Sequence, residues 1–127
     1  MDPVSLHIRV LPGTYAVARP ERWPDWRPSE GLFSVTRTGH EISVVCEELL
    51  VPPGVRVEKG FRALEFEGPF PFNLTGILDS VLHPLAEAKI GVFALSTYDT
   101  DYVLVKVDDI AKVVTTLTQR GHRLTGR

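Results

Sequence analysis

Six consecutive residues, Ser96-Thr97-Tyr98-Asp99-Thr100-Asp101, hold two carboxylates, three hydroxyls and an aromatic ring. Turn chemistry accounts for part of this, because Ser, Thr and Asp side chains bond to their own backbone. The remainder reads as binding chemistry. Asp101 opens an apolar run, and an ionised carboxylate only accepts, so it suits an ammonium or a guanidinium. Thr97 and Tyr98 would shape the pocket around it. Upstream, Asn73-Leu74-Thr75-Gly76 stands where a helix is predicted to begin. Unpaired N–H groups and the helix dipole make such a start a natural carboxylate site, and Gly76 leaves the backbone open to close approach. An acid and an anion site together match the two charged ends of an α-amino acid.

Other reactive residues form no such constellation. His7, His40, His83 and His122 lack a His, Cys or carboxylate partner at metal-ligand spacing, so surface histidines and no metal are expected. Cys46, in phase with Ile42 and Val44, reads as a small core residue. No nucleophile elbow, phosphate loop or dinucleotide fingerprint occurs, so neither an enzyme nor a cofactor is expected. Trp23 and Trp26 read as the private core of a loop, with Arg19, Arg22 and Arg27 near enough in sequence to stack on them. A net charge of -2 leaves no basic excess for nucleic acid. A single cysteine and the lack of a long apolar run point to the cytoplasm and away from a membrane.

The elements that must position these residues come in two copies. Phe33-Ser34-Val35-Thr36 followed by Glu41-Ile42-Ser43-Val44-Val45 returns, sixty positions later, as Phe93-Ala94-Leu95-Ser96 followed by Asp101-Tyr102-Val103-Leu104-Val105. In the second copy, strand 61–66 leads to a helix N-capped by Asn73, with Leu74, Ile77, Leu78, Val81, Leu82 and Leu85 on one face and Pro84 inside. Gly91 marks its exit. Strands 92–97 and 102–107 form a hairpin. A last helix carries Ile110, Val113, Val114 and Leu117, ends at Arg120-Gly121 and leads to a strand at 122–124. That is the β-α-β-β-α-β order of the ferredoxin-like split βαβ. The first copy keeps four strand slots, at 6–18, 32–37, 41–48 and 55–57. A Pro/Trp loop at 19–30 and a connector at 49–54 stand where the helices would be. The expectation is an α+β protein with antiparallel sheets and helices on one face, divided into units 1–60 and 61–127.

The run Leu74-Thr75-Gly76-Ile77-Leu78, then Pro84-Leu85-Ala86-Glu87-Ala88, then Phe93 to Val105 resembles the small tandem ACT-domain proteins. These are related to aspartate kinase regulatory domains and to the CASTOR-type arginine sensors. The hairpin Phe33–Thr38 with Glu41-Ile42-Ser43 resembles the companion ACT unit. The resemblance implies a ligand, usually an amino acid, at the junction between ACT units. It assigns Thr97, Tyr98 and Asp101, the turn of Asn73, Leu74, Thr75 and Gly76, and Ser34-Val35 of the companion unit as ligand-binding residues.

The resulting expectation is a regulatory, non-catalytic module that binds an amino acid and works as a homodimer, because two small units leave strand edges uncovered. The alternative is a ligand-free interaction module of the same fold.

Overall fold

The computed structural model describes residues 4–126. The chain divides into two units, Met1–Pro12 with Arg62–Arg127, and Gly13–Phe61. The sequence division at residue 60 placed the first strand in the first unit. The structure places it in the other, and the reason is pairing. Strand β1 (His7–Val10) runs antiparallel to β5 (Arg56–Phe66), with Ile8 opposite Phe66, and parallel to β8 (Arg123–Thr125), with Ile8 opposite Leu124.

The larger unit holds the second half of β5, helix α1 (Asp79–Glu87), hairpin β6 (Val92–Ser96) and β7 (Asp101–Lys106), helix α2 (Ile110–Gln119) and β8. This is the expected βαββαβ order. One feature was not foreseen: β1 lies between β5 and β8, where a ferredoxin-like sheet would pair the first and last strands directly. Alternation decides its facing. Ile8 and Val10 enter the core with Leu64, Phe66, Val103 and Val105, and Val81, Leu85, Val113 and Leu117 of the helices cover them. Each such fully buried aliphatic or aromatic side chain contributes about 1.5–3 kcal/mol.

Helix α1 is shorter than the periodicity predicts, and Asn73 does not cap it. Gly76 takes φ +83°, which no helical path can pass. Leu74 N–H turns back to the Pro71 carbonyl at 3.1 Å, and the first helical bond is Ser80 N–H to Gly76 carbonyl at 3.0 Å. Leu78 is the N-cap and lends no side-chain bond. Pro84 does not end the helix, which runs on to Glu87.

Both helices end in the same motif. Ile90 N–H reaches the Leu85 carbonyl at 2.9 Å and Lys89 N–H the Ala86 carbonyl at 3.0 Å. His122 N–H reaches Leu117 at 3.1 Å and Gly121 N–H reaches Thr118 at 3.0 Å. These are Schellman closures, which need a left-handed residue at C′. Gly121 (φ +93°) fills that place after α2, as expected. After α1 the place is taken by Lys89 (φ +62°), and Gly91 lies beyond it. A Cβ added at Gly121 meets nothing within 4 Å, so only conformational strain opposes it. Gly121→Ala is therefore expected to lower stability by about 1–2 kcal/mol in urea titration. Lys89→Gly is expected to leave stability level or raise it, because relief of strain offsets the added chain entropy. Equal losses from both variants would refute this account.

The smaller unit has β2 (Tyr15–Arg19), β3 (Ser34–Arg37), β4 (Ile42–Glu47) and the first half of β5. Here β5, β2, β4 and β3 lie side by side, all antiparallel. The four strand slots are kept, and loops replace both helices. The separate strands expected at 55–57 and 61–66 are one strand with a bulge. Tyr15 faces Phe61 while Val17 faces Glu58, so β5 carries one extra residue, accommodated by Gly60 at φ +83°. The core is Ala18, Val44 and Cys46 under Trp26, Phe33, Val35, Leu50 and Val55. Trp26 meets Phe33 edge to face at 6.5 Å.

Cys46 is buried in that core, and desolvation, with a lesser push from Glu47, raises its thiol to about 11. A raised acid contributes stability below its unfolded value and loses it above, so this contribution fades between about pH 9 and 11. Alkylation of Cys46 near pH 8 is expected to proceed only at the rate of unfolding. Modification of the native protein as fast as of free cysteine would overturn this.

The repeat survives with its spacing corrected by one residue, 59 instead of the sixty read from the sequence: Val35 opposite Val44 returns as Ala94 opposite Val103. β4 and β7 each run into a 3₁₀ turn, Glu48–Leu50 and Val107–Asp109. The turns before them share a backbone bond, Thr38 N–H to Glu41 carbonyl at 2.9 Å and Thr97 N–H to Thr100 carbonyl at 2.8 Å.

Candidate functional site

The approach to α1 and the β6–β7 turn form the two walls of a cleft of about 330 Å³ in the larger unit. One wall is Phe70, Pro71, Phe72, Leu74, Gly76, Ile77, Leu78 and Asp79. The other runs from Ser96 to Asp101. One backbone bond joins the walls, Phe70 N–H donating to the Asp99 carbonyl at 2.8 Å, and the Thr100 hydroxyl anchors the turn by donating to the Phe66 carbonyl at the end of β5 at 2.6 Å. At the mouth, Phe72 and Tyr98 meet edge to face at 4.8 Å although they are 76% and 79% exposed.

The sequence-predicted residues divide as follows. Leu74, Gly76, Thr97, Tyr98 and Asp101 line this cleft. Asn73 and Thr75 belong to the same exposed approach but are not part of the lining. Ser34 and Val35 open β3 in the other unit, opposite Val45 and Val44. Sequence reasoning counted Asp99 in the polar run without giving it a ligand role, and missed Asp79, a further carboxylate of the lining, and the apolar Phe70 and Phe72. The motif Gly68-Pro69-Phe70-Pro71-Phe72 was visible but read as a stiff turn.

Asp101 begins β7 and pairs with Ser96, whose hydroxyl donates to Asp101 Oδ1. Among the described residues no donor meets Oδ2, so a donor from a ligand can take it. Thr97 is spent locally: its Oγ1 donates to the Thr100 carbonyl at 3.2 Å and receives Thr100 N–H at 3.3 Å. It shapes the turn and offers a ligand little more. The lining has three carboxylates and no Lys or Arg, so its field favours a cation. On the opposite wall the amides before Ser80 have no intrahelical acceptor, which is the polarity an anion needs.

This architecture has counterparts. A family model described as ACT domain matches residues 56–119, half of the chain. The chain belongs to the ACT domain family. A second model, describing an N-terminal domain, matches residues 13–53, close to the smaller unit. A crystal structure from Agobacterium tumefaciens is 38% identical with TM-score 0.90, covering 98% of this chain and 95% of that one. The bovine protein named cytosolic arginine sensor for mTORC1 subunit 1 is 46% identical over 134 residues, 88% of this chain and 40% of its own. The chain spans less than two thirds of the length of the curated relatives it matches. Aspartate kinase from Synechocystis shares the fold at TM-score 0.65 and 14% identity, over 97% of this chain and 28% of the kinase.

Among the described residues, no cluster of three His, Cys, Asp or Glu is placed to hold a metal ion. No helix among them is long and apolar enough to cross a membrane.

Proposed function

We propose that this ACT protein is a regulatory, non-catalytic module that binds an amino acid in the cleft between the approach to α1 and the β6–β7 turn. The observation that carries the reading is the lining: the carboxylates of Asp99 and Asp101 in the β6–β7 turn stand across from the approach to α1, where Asp79 adds a third, and no basic side chain is present. The ligand's ammonium or guanidinium takes Asp101, and its carboxylate takes the amides ahead of Ser80. The binding named in the arginine sensors supports this class of ligand. The cytosolic location in their name supports a cytosolic role here. Ligand binding biases a homodimer or a partner complex only through its differential affinity for two states.

The exposed trio Phe72, Leu74 and Tyr98 favours a second reading, a protein-interaction module with no ligand. A thermal-shift panel of the twenty amino acids separates the two. The expected result is a rise in melting temperature with a basic amino acid and none with Asp or Glu. No rise with any amino acid favours the interaction module.

A further inference from the structure

The two tryptophans of the Pro/Trp loop have different fates. Trp26 closes the core of the smaller unit against Phe33. Trp23 has no such role and is 59% exposed. Trp23 leaves a large aromatic surface available at the edge of a cleft.

The cleft beside it, about 470 Å³, lies between residues 19–26 and 52–56, a size that suits a small organic ligand. Pro20, Pro24, Pro52 and Pro53 line it and restrict both of its walls. Arg19, Arg22 and Arg56 line it together with Glu21 and Asp25. Arg19 donates to the His40 carbonyl at 3.1 Å. Among the described residues, Arg22 and Arg56 have no hydrogen-bond or ion-pair partner.

These groups make three demands on a ligand. A flat ring can lie on the open face of Trp23. A doubly charged oxyanion can take the forks of Arg22 and Arg56, a geometry that guanidinium matches better than ammonium does. Hydroxyl donors can satisfy Asp25, whose carboxylate only accepts. We infer that this cleft binds a nucleoside phosphate: base on Trp23, phosphate on Arg22 and Arg56, ribose hydroxyls on Asp25. The site is separate from the acid-lined cleft of the larger unit. That cleft attracts cations and this one an anion, so the two ligands do not compete for one pocket.

The test is titration of the full chain with adenosine monophosphate, followed by tryptophan emission and by equilibrium dialysis. Saturable quenching is expected, with adenosine alone and inorganic phosphate alone each binding on the order of tenfold more weakly or worse. Arg22→Gln and Arg56→Gln, at exposed positions, are each expected to weaken binding on the order of tenfold while leaving the circular dichroism spectrum unchanged. Trp23→Ala is expected to remove the quenching and most of the affinity. The inference is overturned by non-saturable binding at millimolar nucleotide, by phosphate binding as well as the nucleotide, or by Arg variants that match the wild type.

Discussion

Asp101→Asn is expected to weaken binding of a basic amino acid by about 1.5–3 kcal/mol, the worth of a charge-assisted hydrogen bond, or roughly 10- to 150-fold in Kd. The substitution isolates charge from shape. Ser96 Oγ donates to Oδ1 of Asp101, and an asparagine Oδ1 accepts the same bond, so the turn keeps its geometry. The β6–β7 register, with Ser96 opposite Asp101, is a backbone matter and also survives. What changes is the other atom, from an anionic acceptor to an amide donor that repels an ammonium. In the wild type, ligand at 100 times its Kd adds ~2.7 kcal/mol of stability, a melting shift of roughly 10 °C for a chain of this size. Calorimetric titration of both forms decides the matter. Equal affinities would remove Asp101 from the site and transfer its role to Asp79 or Asp99, which share the lining.

Local patterns carried the strands and the site's acidic wall into view. Alternation at 34–47 and 92–106 gave both hairpins, because each strand's side chains must divide between core and solvent. Asp101, Thr97 and Tyr98 were legible as one polar run at a strand-turn-strand junction, although the hydroxyls of Ser96, Thr97 and Thr100 are taken up by bonds within and beside the turn. What stayed hidden depends on long-range pairing. Nothing in His7–Val10 says that it will sit between β5 and β8, more than fifty residues away. Nor does Gly60 declare whether it divides two strands or bulges one. The helix start was misplaced because the apolar spacing from Leu74 continues unbroken through Gly76. Only the backbone reveals that Gly76 turns left-handed. Asp79 joined the cleft because of that later start.

Loss of His122 is expected to carry a large cost in stability. The residue was expected at the surface and is 4% exposed. Its Nδ1 accepts the Leu6 N–H at 3.1 Å, which puts the ring proton on Nε2, and Nε2–H donates to the Ser80 carbonyl at 3.0 Å. The second bond has a cause in the sequence. Ser80 would normally receive the N–H of residue 84, and residue 84 is proline, which has none. His122 therefore supplies the donor that Pro84 withholds, and α1 continues through the proline to Glu87. The same ring ties the strand lead-in at Leu6 to the start of α1, next to the cleft wall at Ile77–Asp79.

His122→Leu strips both partners at once and leaves a buried amide and a part-buried carbonyl unsatisfied. The expected loss is about 2–4 kcal/mol, or a melting temperature lower by roughly 6–20 °C. The decisive form is a double-mutant cycle with Pro84→Ala. Alanine restores an N–H at position 84, so Ser80 no longer depends on the imidazole. In that background His122→Leu is expected to cost about 1 kcal/mol less than in the wild type, the share of the bond to Ser80. The cost of packing lost at Pro84 appears on both sides of the cycle and cancels. If the two substitutions simply add, His122 does not stand in for the missing helical donor, and its contribution reduces to the bond from Leu6.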